Sequence, residues 1–149
     1  MITKVIILEG NDNIGKTVTL KLVVRMLLDN KARLIAFSNN FAKWIIGGEV
    51  GDIWAIMEYA EGNIFITTRG DYPKCILDDF DCALQLPKLT LNEIDIFICA
   101  AHNIGQVEEV FRRKGLTLSN PIIVDKIKSS QTTLNVNDMD CANIIFNHI

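Results

Sequence analysis

The chain has no excess of positive charge: 15 lysines and arginines stand against 18 aspartates and glutamates, a net charge of -3 over 149 residues. Such a surface does not neutralise a phosphodiester backbone, so general nucleic-acid binding is disfavoured. There is no apolar stretch near the roughly 20 residues that a membrane-spanning helix needs, and the first apolar core, Ile6 to Leu8, is far shorter than a signal-peptide h-region. A soluble, cytoplasmic protein with no membrane partner is expected. The four cysteines, Cys75, Cys82, Cys99 and Cys141, form no C-x-x-C pair and have no histidine at zinc-finger spacing, which argues against a structural metal site. Buried free thiols are expected instead, with Cys75 and Cys82 two turns apart on one helical face. Repeats, low-complexity tracts and linkers are also missing. What is present, 49% hydrophobic residues, is enough to fill the core of one domain over residues 1–149.

The apolar residues change period along the chain. Val5-Ile6-Ile7-Leu8 is a continuous run, as expected for a strand buried on both faces of a mostly parallel sheet. From about Gly15 to Asn30 the polar positions Thr17, Lys21, Arg25 and Asp29 fall four apart, which predicts a helix with one narrow wet edge. Leu34 to Phe37 reads as a second strand, and residues 38–51 as a long loop carrying Phe41 and Trp44 that a protein partner could cover. Two β-rich runs flank Ala60-Glu61-Gly62-Asn63 as a hairpin, with a helix over Asp52 to Ala60 as the competitor. A helix starts at Asp71-Tyr72-Pro73 and ends at Pro87, Ile94 to Ala100 is a buried strand, and Gln106 to Lys114 is a helix closed by Gly115. Pro121 to Val124 is the last strand, and a final helix from about Asp138 sets Met139, Ala142, Ile145 and Phe146 on one side. This alternation predicts the α/β class: a three-layer α/β/α sandwich around a mostly parallel sheet of about five to six strands with one antiparallel hairpin.

One stretch carries chemistry. Gly10-Asn11-Asp12-Asn13-Ile14-Gly15-Lys16-Thr17 fits G-x-x-x-x-G-K-[ST] between a strand and a helix, with Val18 next in line. Glycines let several N–H groups turn toward one anion, and the helix adds its positive end. Lys16 then offers a point charge to β- and γ-phosphates, and the Thr17 hydroxyl can ligate Mg²⁺. In this the chain resembles the P-loop NTPases, and the wording Glu9-Gly10-Asn11-Asp12 ahead of Gly15-Lys16-Thr17 is similar to the phosphate loop of thymidylate kinases and related nucleotide kinases. That resemblance implies the P-loop NTPase fold and a contact from Asp12 to the sugar of a phosphate acceptor. The Asp-Arg-[Tyr/Ser] motif and the arginine-rich lid of thymidylate kinases have no counterpart here, so this closer likeness covers about the first 30 residues.

Such a site also calls for a carboxylate near Mg²⁺ at a neighbouring strand's end. Asp71, after Ile64 to Thr68, stands at the ligand-binding edge and is chosen as the metal carboxylate, with a helix N-cap as the plainer role; Asp95, near the start of its strand, stands at the wrong edge. Arg69 is a candidate internal arginine finger beside a solvated-turn reading. His102 and Asn103 open on the same edge, and Arg112, Arg113 and Lys114 are either a lid or bases drawn to a helix C-terminus. The segment "DKIKSSQ" is the candidate base pocket, and its lack of N-K-x-D favours ATP over GTP. Two functions follow as expectations: a Mg²⁺-dependent ATPase or phosphotransferase with a small acceptor, or a nucleotide-dependent switch with little catalysis.

Overall fold

The computed structural model describes residues 1–11, 15–85, 89–126 and 134–149. The first apolar run is the centre of β1 (Lys4–Glu9), buried from Val5 to Leu8. Because successive strand side chains point to opposite faces, Ile6 and Leu8 enter one core while Val5 and Ile7 enter another. Against the first core lie α1 (Lys16–Asp29), α2 (Asn39–Ile45) and α5 (Leu134–Asn147), through residues such as Val23, Phe41 and Ile145. Against the second lie α3 (Pro73–Gln85) and α4 (Ile104–Arg113), through Phe80 and Phe111. The result is three layers, with the sheet covered on both faces.

The remaining strands are β2 (Arg33–Phe37), β3 (Trp54–Tyr59), β4 (Gly62–Thr67), β5 (Ile96–Ala101) and β6 (Ile122–Asp125). They are ordered β2-β3-β4-β5-β1-β6. β6, β1, β5 and β4 pair in parallel, whereas β3 is antiparallel to both β4 and β2. The sheet is therefore mostly parallel with two antiparallel pairs, one more than the hairpin alone supplies. The connection from β3 to β4 is the two-residue turn Ala60-Glu61, both in the left-handed region at φ 51° and 67°. A helix over Asp52 to Ala60 does not form, because Ala55 and Met57 are needed in one core and Trp54 and Ile56 in the other.

Several expectations need correcting. Residues 38–51 are not one long loop: Ser38 Oγ accepts the Phe41 amide at 3.1 Å and caps α2. Phe41, expected on the surface, is 1% exposed and packs on the first core. Trp44 is half-buried, with the Arg25 guanidinium 4.3 Å from its ring centroid. Cys99 and Cys141 are buried, but Cys75 is half-buried and Cys82 exposed. The inward stripe of α3 is Ile76, Asp79, Phe80 and Ala83, spaced three and four apart, and the cysteine positions flank it. α5 begins at Leu134, and Met139 faces outward at 43% exposure while Cys141 takes the inner place. The predicted stop at Pro87 lies outside the described residues.

No helix among the described residues is long and apolar enough to cross a membrane.

Candidate functional site

Strand direction decides what meets at one edge of the sheet. β1, β4, β5 and β6 all end there, and β3, running the other way, begins there. The edge therefore gathers Gly10 after β1, Asp52 before β3, Thr68 to Asp71 after β4, His102 after β5 and Lys126 after β6. Asp95 is at the opposite edge, where its Oδ2 accepts the Asn63 amide at 2.9 Å.

The glycine-rich segment enters this edge with the Gly10 amide donating to Ala101 O at 3.0 Å. Asp12, Asn13 and Ile14 lie outside the described residues. Gly15 then opens α1 at φ 90°, a conformation that an L side chain rarely adopts. The first turn of α1 has no acidic residue and no side-chain cap, so its forward amides and positive end are turned toward the edge. Lys16 is 8% exposed, and its Nζ donates to Gly10 O and, at 2.9 Å, to Asn11 O. The ammonium is thus folded back over the segment that precedes it.

Thr17 contacts a carboxylate that sequence reasoning missed. Its Oγ1 donates to Asp52 Oδ1 at 3.0 Å, and Thr68 Oγ1 donates to the same oxygen at 2.8 Å. Thr68 also binds Ile53 in both directions, its amide to Ile53 O at 3.0 Å and its Oγ1 accepting the Ile53 amide at 2.9 Å. These bonds fix Asp52 although it precedes its strand. The hairpin signal contained the clue: if β4 ends at the loop's edge, the antiparallel β3 must start there. Burial pushes the nearby Lys21 ammonium down from its ordinary value, and Asp52 acts in the opposite direction.

A cavity of about 480 Å³ opens over this group, lined by Lys16, Thr17, Val18 and Asp52 on one side and by Asp71 and His102 on the other. Asp71 is not the carboxylate bound to Thr17; its Oδ1 lies 3.7 Å from His102 Nε2. Gln106 crosslinks their two loops, accepting the His102 amide at 2.6 Å and donating to Asp71 O at 2.7 Å. Gly70 presses on β5 so closely that a methyl group there would come within 2.0 Å of Ala100 O.

Arg69 does not line the cavity. Its guanidinium binds Asp79 Oδ1 at 3.2 Å, while Thr67 Oγ1 donates to Asp79 Oδ2 at 2.6 Å. Burial pushes the Asp79 carboxyl up from its ordinary value, outweighing the opposite influence of Thr67 and Arg69. Arg69 is thereby tied to α3 as a structural anchor. Arg112 and Arg113 pair with Glu109, and Lys114 with Asp81, at the far end of a ten-residue helix, about 15 Å from the edge. They do not cover the cavity. Of "DKIKSSQ", Asp125 and Lys126 are described and 127–131 lie outside the described residues.

No family model matches the chain, and no curated protein or solved structure matches it either. Any reading of function therefore rests on the site itself.

Proposed function

We propose that this protein binds a nucleoside triphosphate, ATP rather than GTP, together with Mg²⁺ at the 10–18 segment, and acts as a P-loop NTPase or phosphotransferase. The observation that carries the reading is the convergence of Lys16, Thr17 and Asp52 on one cavity at the positive end of α1. Thr17 Oγ1, Asp52 Oδ1 and Thr68 Oγ1 form an all-oxygen group, which suits a hard cation that keeps several waters and needs few protein ligands. Among the described residues no group of three or more His, Cys, Asp or Glu is placed to hold a metal ion by itself. Mg²⁺ held there would neutralise charge developing on the transferred phosphate.

The chain's own groups have distinct parts in this reading. The α1 amides, beginning after Gly15, receive phosphate oxygens, and Lys16 turns from the Gly10 and Asn11 carbonyls to the phosphates. Thr17 would hold Mg²⁺ through its hydroxyl, and Asp52, which accepts from that hydroxyl, would orient it. Phosphoryl transfer asks mainly for positioning and charge stabilisation, so this set is sufficient in kind. Asp71, which the sequence pattern favours for the metal, stands on the opposite wall with His102. Transfer to a nucleotide-sized acceptor is the more specific form of the proposal and rests on Glu9 and Asp12.

The test is ³¹P NMR of the protein with Mg·ATP and then Mg·GTP, alone and with pooled nucleoside monophosphates, in wild type and Lys16→Ala. A new phosphate resonance identifies a kinase and its acceptor class; inorganic phosphate alone identifies an NTPase. Lys16→Ala should still fold and weaken Mg·ATP binding about 100-fold, because charged hydrogen bonds to phosphate are lost. Equal binding by wild type and mutant would sink the proposal.

A further inference from the structure

Behind the loop lies a pair of buried charges that the reading above does not use. Lys126 Nζ and Asp138 Oδ1 are 2.6 Å apart, with side chains 0% and 2% exposed. Both are fastened to the glycine-rich segment. The Lys126 amide donates to Glu9 O at 2.7 Å, at the residue before Gly10. Asp138 Oδ1 lies so close to Gly15 that a methyl group there would come within 2.7 Å of it. Thr19 joins the two, since its Oγ1 donates to Gly15 O at 2.8 Å and faces Asp138 Oδ1 at 3.4 Å. Cys141, one turn along α5, is a further titratable group beside the pair; burial pushes its thiol up, Lys126 pulls it down, and Asp138 and Asp140 add to the rise.

An isolated carboxylate placed there would oppose any anion at the α1 N-terminus, and an isolated ammonium would add to the attraction. Buried ion pairs contribute little net stability against apolar residues of similar volume, so stability alone does not account for one at this place. We infer that Lys126 and Asp138 form a charge-balanced support that holds Gly15 in position while cancelling the carboxylate's field, and so set how tightly the segment grips the phosphates of the nucleotide. This rests on the proposed nucleotide binding at the same site. The role is one of positioning and field, not of contact with the reacting atoms.

The consequence is a pair of opposite effects that a mere structural clamp does not produce. Asp138→Asn keeps the shape and an acceptor for Thr19 but removes the negative charge beside Gly15, so Mg·ATP and Mg·tripolyphosphate should bind about tenfold more tightly although the melting temperature falls. Lys126→Met leaves the carboxylate unbalanced and should weaken both about tenfold, again with a lower melting temperature. The double variant should return within about threefold of wild type.

Dissociation constants are measured by calorimetry against wild type at the same pH. Weaker binding by both single variants, or no change in either, overturns the inference while leaving the proposed function standing. If a single variant does not fold, the double variant decides, since loss of affinity in that charge-neutral variant also overturns it. Wild type that binds neither probe overturns both readings.

Discussion

The two halves of the sheet meet at the same cavity by different routes. In the parallel half, β6, β1 and β5 bring the loop after β1, and the chain announces itself: strand, glycines, lysine, threonine, helix. In the other half, β4 and β3 form a hairpin that brings Thr68 and Asp52 from positions 16 residues apart, where no local pattern marks either of them. A phosphate loop is local because consecutive amides must wrap one anion. A carboxylate behind it needs only to arrive at the right place, and antiparallel pairing delivers one as well as a parallel crossover does. The candidate site at this edge is thus half motif and half topology.

Breaking the contact between the halves should have the largest effect. Gly70→Ala sets a methyl group against the Ala100 carbonyl at 2.0 Å, and the backbone has to move to admit it. A loss of about 3 kcal/mol is expected in urea denaturation, with Asp71 and His102 displaced from each other. A loss below about 1 kcal/mol would mean that the two strand ends are not locked together.

Next comes the choice of carboxylate. Asp52→Asn should raise the Mg²⁺ concentration needed for half-maximal nucleotide binding or turnover about tenfold, the scale on which outer partners of metal ligands act. Asp71→Asn should leave that requirement within about twofold of wild type. The reverse order in a Mg²⁺ titration would move the metal from the start of β3 to the end of β4.

The smallest change sharpens the contrast from the hairpin's far end. Ala60 and Glu61 both occupy left-handed backbone, which asparagine and glycine adopt with less strain. The paired substitutions Ala60→Asn and Glu61→Gly should stabilise the fold by about 1 kcal/mol in thermal or urea unfolding, with nucleotide binding unchanged. Altered binding would show that the turn communicates with the opposite edge of the sheet.

Much of this architecture is legible along the chain. Val5 to Leu8 and Ile94 to Ala100 read as buried strands from short apolar runs rich in β-branched residues, and the α1 stripe carries a helical period. Residues 38–51 are not legible in the same way, because their local sequence, rich in Asn and Gly, gives no reason for a helix; Ser38 as cap and the burial of Phe41 in the first core supply it. The Cys75 and Cys82 expectation fails for a similar reason. Two turns of separation fixes a shared face, but it does not say which face meets the sheet.

By itself, the sequence determined the layer class, the strand-to-helix context and the identity of Lys16 and Thr17, because these depend on residues adjacent in the chain. Tertiary structure alone decided that Asp52, not Asp71, stands behind Thr17, that Arg69 belongs to Asp79, and that Asp138, paired with Lys126, is buried against Gly15. Each of those pairings joins segments brought together by strand order and direction. The physical reason is that a hydrogen bond or ion pair is sensitive to ångström distances in space, and separation along the chain carries no measure of them until the sheet has closed.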